Sequence, residues 1–154
     1  MRLSLIIFFT FFSLTISSQK IDNNSDLVVF DLEKVFSEEQ KKTLGVKIKK
    51  LKEDKSKKIV FVSTPSIGNF KSLKEYSIYL MELFEEKSKQ NMVIILMSKK
   101  MGEIRITTSE IAKLELSDKS CDEIIQNIII PKFKEDKIFY GIISGVDEII
   151  KKWN

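Results

Sequence analysis

Few side chains in this sequence could do chemistry, and what is missing narrows the field first. No histidine occurs in the 154 residues, which excludes Ser-His-Asp triads, histidine phosphotransfer and the common zinc sites. Cys121 is the single cysteine, so no intramolecular disulfide can form. It falls near a predicted helix start, where a thiolate would be stabilised. A cysteine phosphatase also needs an arginine in the phosphate loop that follows. The only arginines are Arg2 and Arg105, and Arg105 precedes the cysteine on a predicted strand. Cys121 is therefore read as structural. Arg105 could hold an anion, but the expectation is an outward strand position paired with a neighbouring glutamate. Without histidine, hydrolysis would have to run through metal-activated water and carboxylates. Asp31 ends a predicted strand, where ligands of open α/β sheets collect. A hard cation needs several oxygens, to which Ser63, Thr64 or backbone carbonyls could add. The simpler role for Asp31 is to cap a turn.

The elements that must position these groups are legible from pattern. Met92 to Met97 is an unbroken apolar run of strand length, suited to a strand buried on both faces. A polar turn ending at Gly102 follows, and then Glu103 to Thr107 alternates polar and apolar as a half-buried strand does. This is a β-hairpin, its first strand central in the sheet and its second nearer an edge. Leu27 to Phe30 reads as a short strand ending at Asp31, and Lys57 to Ser63 as another that stops before Pro65. Ser37-Glu38-Glu39-Gln40 and Ser72-Leu73-Lys74-Glu75 are capping boxes. The first opens a helix with Leu44, Ile48 and Leu51 inward. The second opens one with Leu73, Tyr76, Leu80, Leu83 and Phe84 inward. Strand, capped helix and strand form a βαβ unit, so the strands at 58–63 and 92–97 should be parallel.

A third helix is predicted from Ser117 or Ser120, with Ile124, Ile125, Ile128 and Ile129 packed inward and Pro131 ending it or starting the next connection. The final helix carries Phe139, Ile142, Ile143, Val146, Ile149, Ile150 and Trp153 at helical spacing. In it, Gly141 and Gly145 would let another element approach closely. The expected architecture is α/β, a mixed four-stranded sheet with helices on both faces.

Residues 1–18 have the form of a secretory signal peptide. One positive charge precedes an apolar run from Leu3 to Leu14, and small residues lead up to Gln19. That run is short for a membrane span, and no second apolar span follows. The expectation is a protein exported to the periplasm or secreted, with no stable membrane span after cleavage. An extended segment at 19–26 would then lead into a single domain at 27–154. The net charge of +4 is spread over lysines interleaved with acids, a solvated pattern that does not suggest a nucleic-acid surface.

In order and spacing the motifs from Val29 to Trp153 resemble the TPM domain family, which includes thylakoid-lumen proteins linked to photosystem repair and many exported bacterial proteins. Val29-Phe30-Asp31 is similar to the family's opening V-x-D, and Phe36-Ser37 to its helix start. Tyr76 and Leu80 fall where its next helix lies. Asn91 with Val93 to Leu96 is similar to its N-G-V-L-L-L strand, and Arg105-Ile106 to its R-I pair. Pro131-Lys132-Phe133-Lys134, with Gly141 and Gly145, resembles its closing P-x-F-(K/R) and G-(I/L)-x-x-G-V helix. There are departures. The usual D-N-G is Gln90-Asn91-Met92 here, and G-x-G-L-E aligns to Ser109-Glu110-Ile111-Ala112-Lys113, with both glycines lost and the acid replaced by lysine. The tryptophan that commonly precedes D-N-G has no counterpart near Leu83-Phe84.

The resemblance implies binding of calcium or similar ions in some members and acid-phosphatase activity in the plant branch. Asp31 and Asp118 are the carboxylates left at family-like positions, and a calcium or magnesium ion would be assigned to them. The plainer alternative has Asp31 capping its turn and Asp118 supporting a helix N-terminus. With acids lost at Gln90 and Lys113, the expected function is a non-catalytic binding or assembly module of the cell envelope, with an envelope protein as partner. The alternative is a divalent-metal-dependent, phosphatase-like hydrolase.

Overall fold

A computed structural model describes residues 28–55, 57–85 and 91–153. The predicted leader at 1–18, the predicted extended segment at 19–26 and Gln90 lie outside these residues. The apolar run folds as predicted into an interior strand. Four strands, β1 (Val29–Asp31), β2 (Lys57–Ser63), β3 (Asn91–Ser98) and β4 (Glu103–Thr108), form one sheet in the order β1-β2-β3-β4. β1 and β3 each pair parallel with β2, and β4 closes the hairpin antiparallel to β3. β3 is thus interior and β4 an edge strand. Met92 to Met97 are all fully buried because both faces of β3 are covered. Gly102 takes φ +68° in the hairpin turn, a left-handed conformation that glycine adopts without a Cβ penalty.

Alternation divides the core into two. Ile59, Phe61, Val93, Ile95, Ile104 and Ile106 face a large cluster that includes Leu44, Ile48 and Leu51 of α1 (Glu38–Lys55). Val60, Val62, Ile94 and Leu96 face a smaller one, with Leu73, Leu80, Met81 and Phe84 of α2 (Leu73–Glu85). α1 therefore covers one face and α2 the other. The steps from β1 to β2 and from β2 to β3 run in the same direction across the sheet. Two crossovers of the same hand would put both helices on one face, so one of these two is left-handed, against a strong general preference for the right hand.

Both capping boxes form. Ser37 Oγ accepts the Gln40 N–H, and Gln40 Oε1 accepts the Ser37 N–H. Ser72 Oγ accepts the Glu75 N–H, but Glu75 reaches one residue further back, to the Lys71 N–H at 2.8 Å. After β4 come α3 (Glu110–Lys113) and α4 (Asp118–Ile124), the latter capped by Ser117. Pro131 does not end the helical run. The chain passes from α4 into a π-helical segment at Ile125–Ile129 and then into α5 (Ile130–Phe133), with the proline in its first turn. A proline has no N–H for the i→i−4 bond and clashes in a helix interior, and the widened π turn just before it lets the helix restart with Pro131 where no donor is needed. Ile128 is only half-buried, unlike Ile124, Ile125 and Ile129.

α6 (Ile138–Lys152) packs on this segment. A Cβ at Gly141 would stand 2.7 Å from the Phe133 ring, and one at Gly145 2.7 Å from Ile129 Cδ1; close approach is what both glycines provide. The end of α6 is fastened by Lys57, whose Nζ donates to the Trp153 carbonyl at 2.6 Å and to Glu115 Oε2 at 2.5 Å. No helix among the described residues is long and apolar enough to cross a membrane.

Candidate functional site

At the carboxyl edge of the sheet, the chain leaves β1 for one face and β2 for the other. That divergence is what opens a ligand crevice in open α/β sheets. Asp31 stands there, level with Ser63. Its Oδ1 accepts the Val35 N–H at 3.0 Å and the Ser63 hydroxyl at 2.5 Å, and its Oδ2 accepts the Phe36 N–H at 2.9 Å. Ser63 Oγ in turn accepts the Glu33 N–H. The carboxylate thus ties β1 to β2 and folds the turn leading to α1, in which Lys34 takes φ +54°. Glu33 extends the arrangement by accepting the Lys99 and Lys100 N–H groups of the hairpin turn.

Asp118 lies at the opposite edge. Ser109, where β4 ends, exchanges hydrogen bonds with Met92 at the start of β3 and caps α3 through the Ala112 N–H. Lys113 at the end of α3 pairs with Asp118 at 2.8 Å. That hydrogen bond, followed by the carboxylate's charge, raises the Lys113 pKa. Asp31 is level with Met97 and Ser109 with Met92, a separation of about 17 Å along β3. The two aspartates are not brought together. Among the described residues no three Asp, Glu or Cys side chains converge as a metal site would require, and the ammonium of Lys113 lies against one of the two carboxylates proposed as ligands. Among the described residues, Asp31 and Asp118 do not together fit a divalent cation. Cys121 is buried, and burial first, then the charges of Asp118 and Asp122, push its thiol up to about 12. It is no nucleophile at neutral pH.

A model of the TPM domain matches residues 29–152. The chain belongs to the TPM domain family. Three solved structures share the fold. The N-terminal domain of a P. gingivalis protein is 20% identical, with TM-score 0.75, covering 83% of this chain and 82% of that one. The BA42 protein of the psychrophilic bacterium Bizionia argentinensis is 17% identical, with TM-score 0.64 and coverage of 77% and 81%. The N-terminal domain of a Corynebacterium glutamicum protein is 12% identical, with TM-score 0.63 and coverage of 83% and 80%. No curated protein matches the sequence.

In this TPM chain a groove of about 620 Å³ lies between α2 and β4. Arg105 and Thr107 line it, because the alternation that sends Ile104 and Ile106 into the larger core sends them towards α2. Arg105 is half-buried and forms no salt bridge with any described residue. Arg105 is not paired with a described glutamate, and the polar side of β4 at Arg105 and Thr107 lies half-buried beside α2. Thr107 Oγ1 donates to Ser77 Oγ of α2 at 2.9 Å. Lys74, Ser77 and Thr107 were not among the site candidates. The signal was Ser77, a small hydroxyl four residues after Leu73 and three before Leu80, and so on the apolar face of its helix.

Proposed function

We propose that this TPM chain is exported and acts as a non-catalytic binding or assembly module of the cell envelope, with a protein of that compartment as partner. The observation that supports the reading is the placement of its two family-like carboxylates. Asp31 and Asp118 sit at opposite edges of the sheet; one accepts three protein donors, and the other is paired with Lys113. A hard cation draws its affinity from the number of charged oxygens that surround it, and among the described residues neither edge brings three acids together as a metal site would. The leader-like residues 1–18 support export.

The test is calorimetric titration of calcium and magnesium into the full chain, beside an assay with a generic phosphate ester. Binding no tighter than about 1 mM and no turnover are expected. Micromolar metal binding, with metal-dependent turnover lost in Asp118→Asn, would place the chain in the other class, that of metal-dependent hydrolases. Asp118 is suited to this role because its side chain is largely exposed and its replacement leaves the Asp31 turn intact.

A further inference from the structure

We propose that the groove between α2 and β4 binds a small zwitterion of short-peptide length, with its carboxylate on Arg105 and Lys74 and its amine towards Glu82 and Glu110. α2 runs from the carboxyl edge of β2 back to the amino edge of β3, antiparallel to β3 and therefore in the same direction as β4. The hydroxyl contact between Ser77 and Thr107 fixes the two side by side. Lys74 precedes Ser77 by three residues and Arg105 precedes Thr107 by two, so both cations lie on one side of that contact. Glu82 and Glu110 follow it on their respective elements, so both acids lie on the other side. All four line the groove, and none forms a salt bridge with a described residue. Lys113 and Asp118, which also line it, neutralise each other.

The groove is thus cationic at one end and acidic at the other. Its charges span eight residues of α2, about 12 Å, and an extended tripeptide covers about 10 Å. At the cationic end, the Arg105 side chain is half-buried, lines the groove and has no carboxylate partner among the described residues. A carboxylate accepting from the terminal nitrogens of the guanidinium would supply one. The acidic end disfavours ligands that are anionic throughout and favours those that end in an amine. This goes beyond the proposed function and rests on it only in treating the chain as a binder.

The experiment titrates triglycine into the isotope-labelled full chain and follows backbone amide shifts. Saturable shifts are expected in residues 74–82 and 105–110. N-acetyl-triglycine, which lacks the amine, and triglycine amide, which lacks the carboxylate, should each bind at least about tenfold more weakly. Glu110→Gln should weaken triglycine and leave the already weak N-acetyl form unchanged. Arg105→Gln should abolish binding; if it fails to fold, Lys74→Gln on the exposed side of α2 carries that arm. Absence of saturable shifts, shifts elsewhere, or equal affinity for the three peptides would overturn the proposal. None of these outcomes bears on metal binding, so the calcium titration tests the proposed function separately.

Discussion

Asp31 is the residue on which the carboxyl edge depends. Replacing it with Asn keeps the size and removes one acceptor oxygen, placing an NH2 against an N–H or hydroxyl donor. A partly buried donor left without an acceptor costs about 1–3 kcal/mol, so Asp31→Asn should lower stability by that amount. Urea denaturation is the measurement, and an unchanged midpoint would contradict the hydrogen-bond pattern at the turn. Ser63→Ala removes one of the three donors and also leaves the Glu33 N–H without its acceptor, so it should cost a similar amount, about 1–3 kcal/mol. At this scale the sequence was legible where partners are close along the chain. The capping serines, Ser37, Ser72 and Ser117, announce themselves three residues ahead of the N–H they accept. The bond between Asp31 and Ser63 spans 32 residues and exists only because β1 and β2 pair in that register. Arg105 shows the same limit, since nothing local says that α2 lies over it.

Among the elements, the junction of the π segment, α5 and α6 makes the sharpest demand on sequence. The four-residue spacing of Gly141 and Gly145 signalled a close approach without naming the partner, because the partner's position depends on the widened turn before Pro131. The two glycines differ in what crowds them. A methyl at Gly141 would meet the rigid Phe133 ring at 2.7 Å and the Ile129 carbonyl at 3.2 Å, whereas one at Gly145 meets the end of the Ile129 side chain. Alanine gains up to about 1 kcal/mol over glycine in a helix, and overpacking costs about 1–3 kcal/mol. Gly141→Ala should therefore destabilise the protein measurably, and Gly145→Ala clearly less, since an isoleucine can change rotamer and a ring beside a backbone carbonyl cannot. Thermal melting of the two variants decides it; equal shifts would mean that α6 packs otherwise.

For the molecule as a whole, the mixed α/β sheet was readable because Met92–Met97 and the βαβ pattern permit few alternatives. The hand of each crossover was not, since the same apolar faces satisfy either hand. Putting α1 and α2 on opposite faces has a result of its own. One face is covered by α1, α4, the π segment and α6, and the other by α2 with the segment around Ile67. Cooperative units open at free energies set by how much they bury. The most protected amides of α2 should therefore exchange with solvent hydrogen through a smaller opening than those of β3. Native-state exchange in low denaturant would show it; α2 and β3 merging into one unfolding isotherm would refute it. Such an opening uncovers Val60, Val62, Ile94 and Leu96 together, a flat β-branched-rich surface of the kind that seeds self-association. The rate at which this protein aggregates on warming would then follow the detachment of a single 13-residue helix and not the melting of the domain.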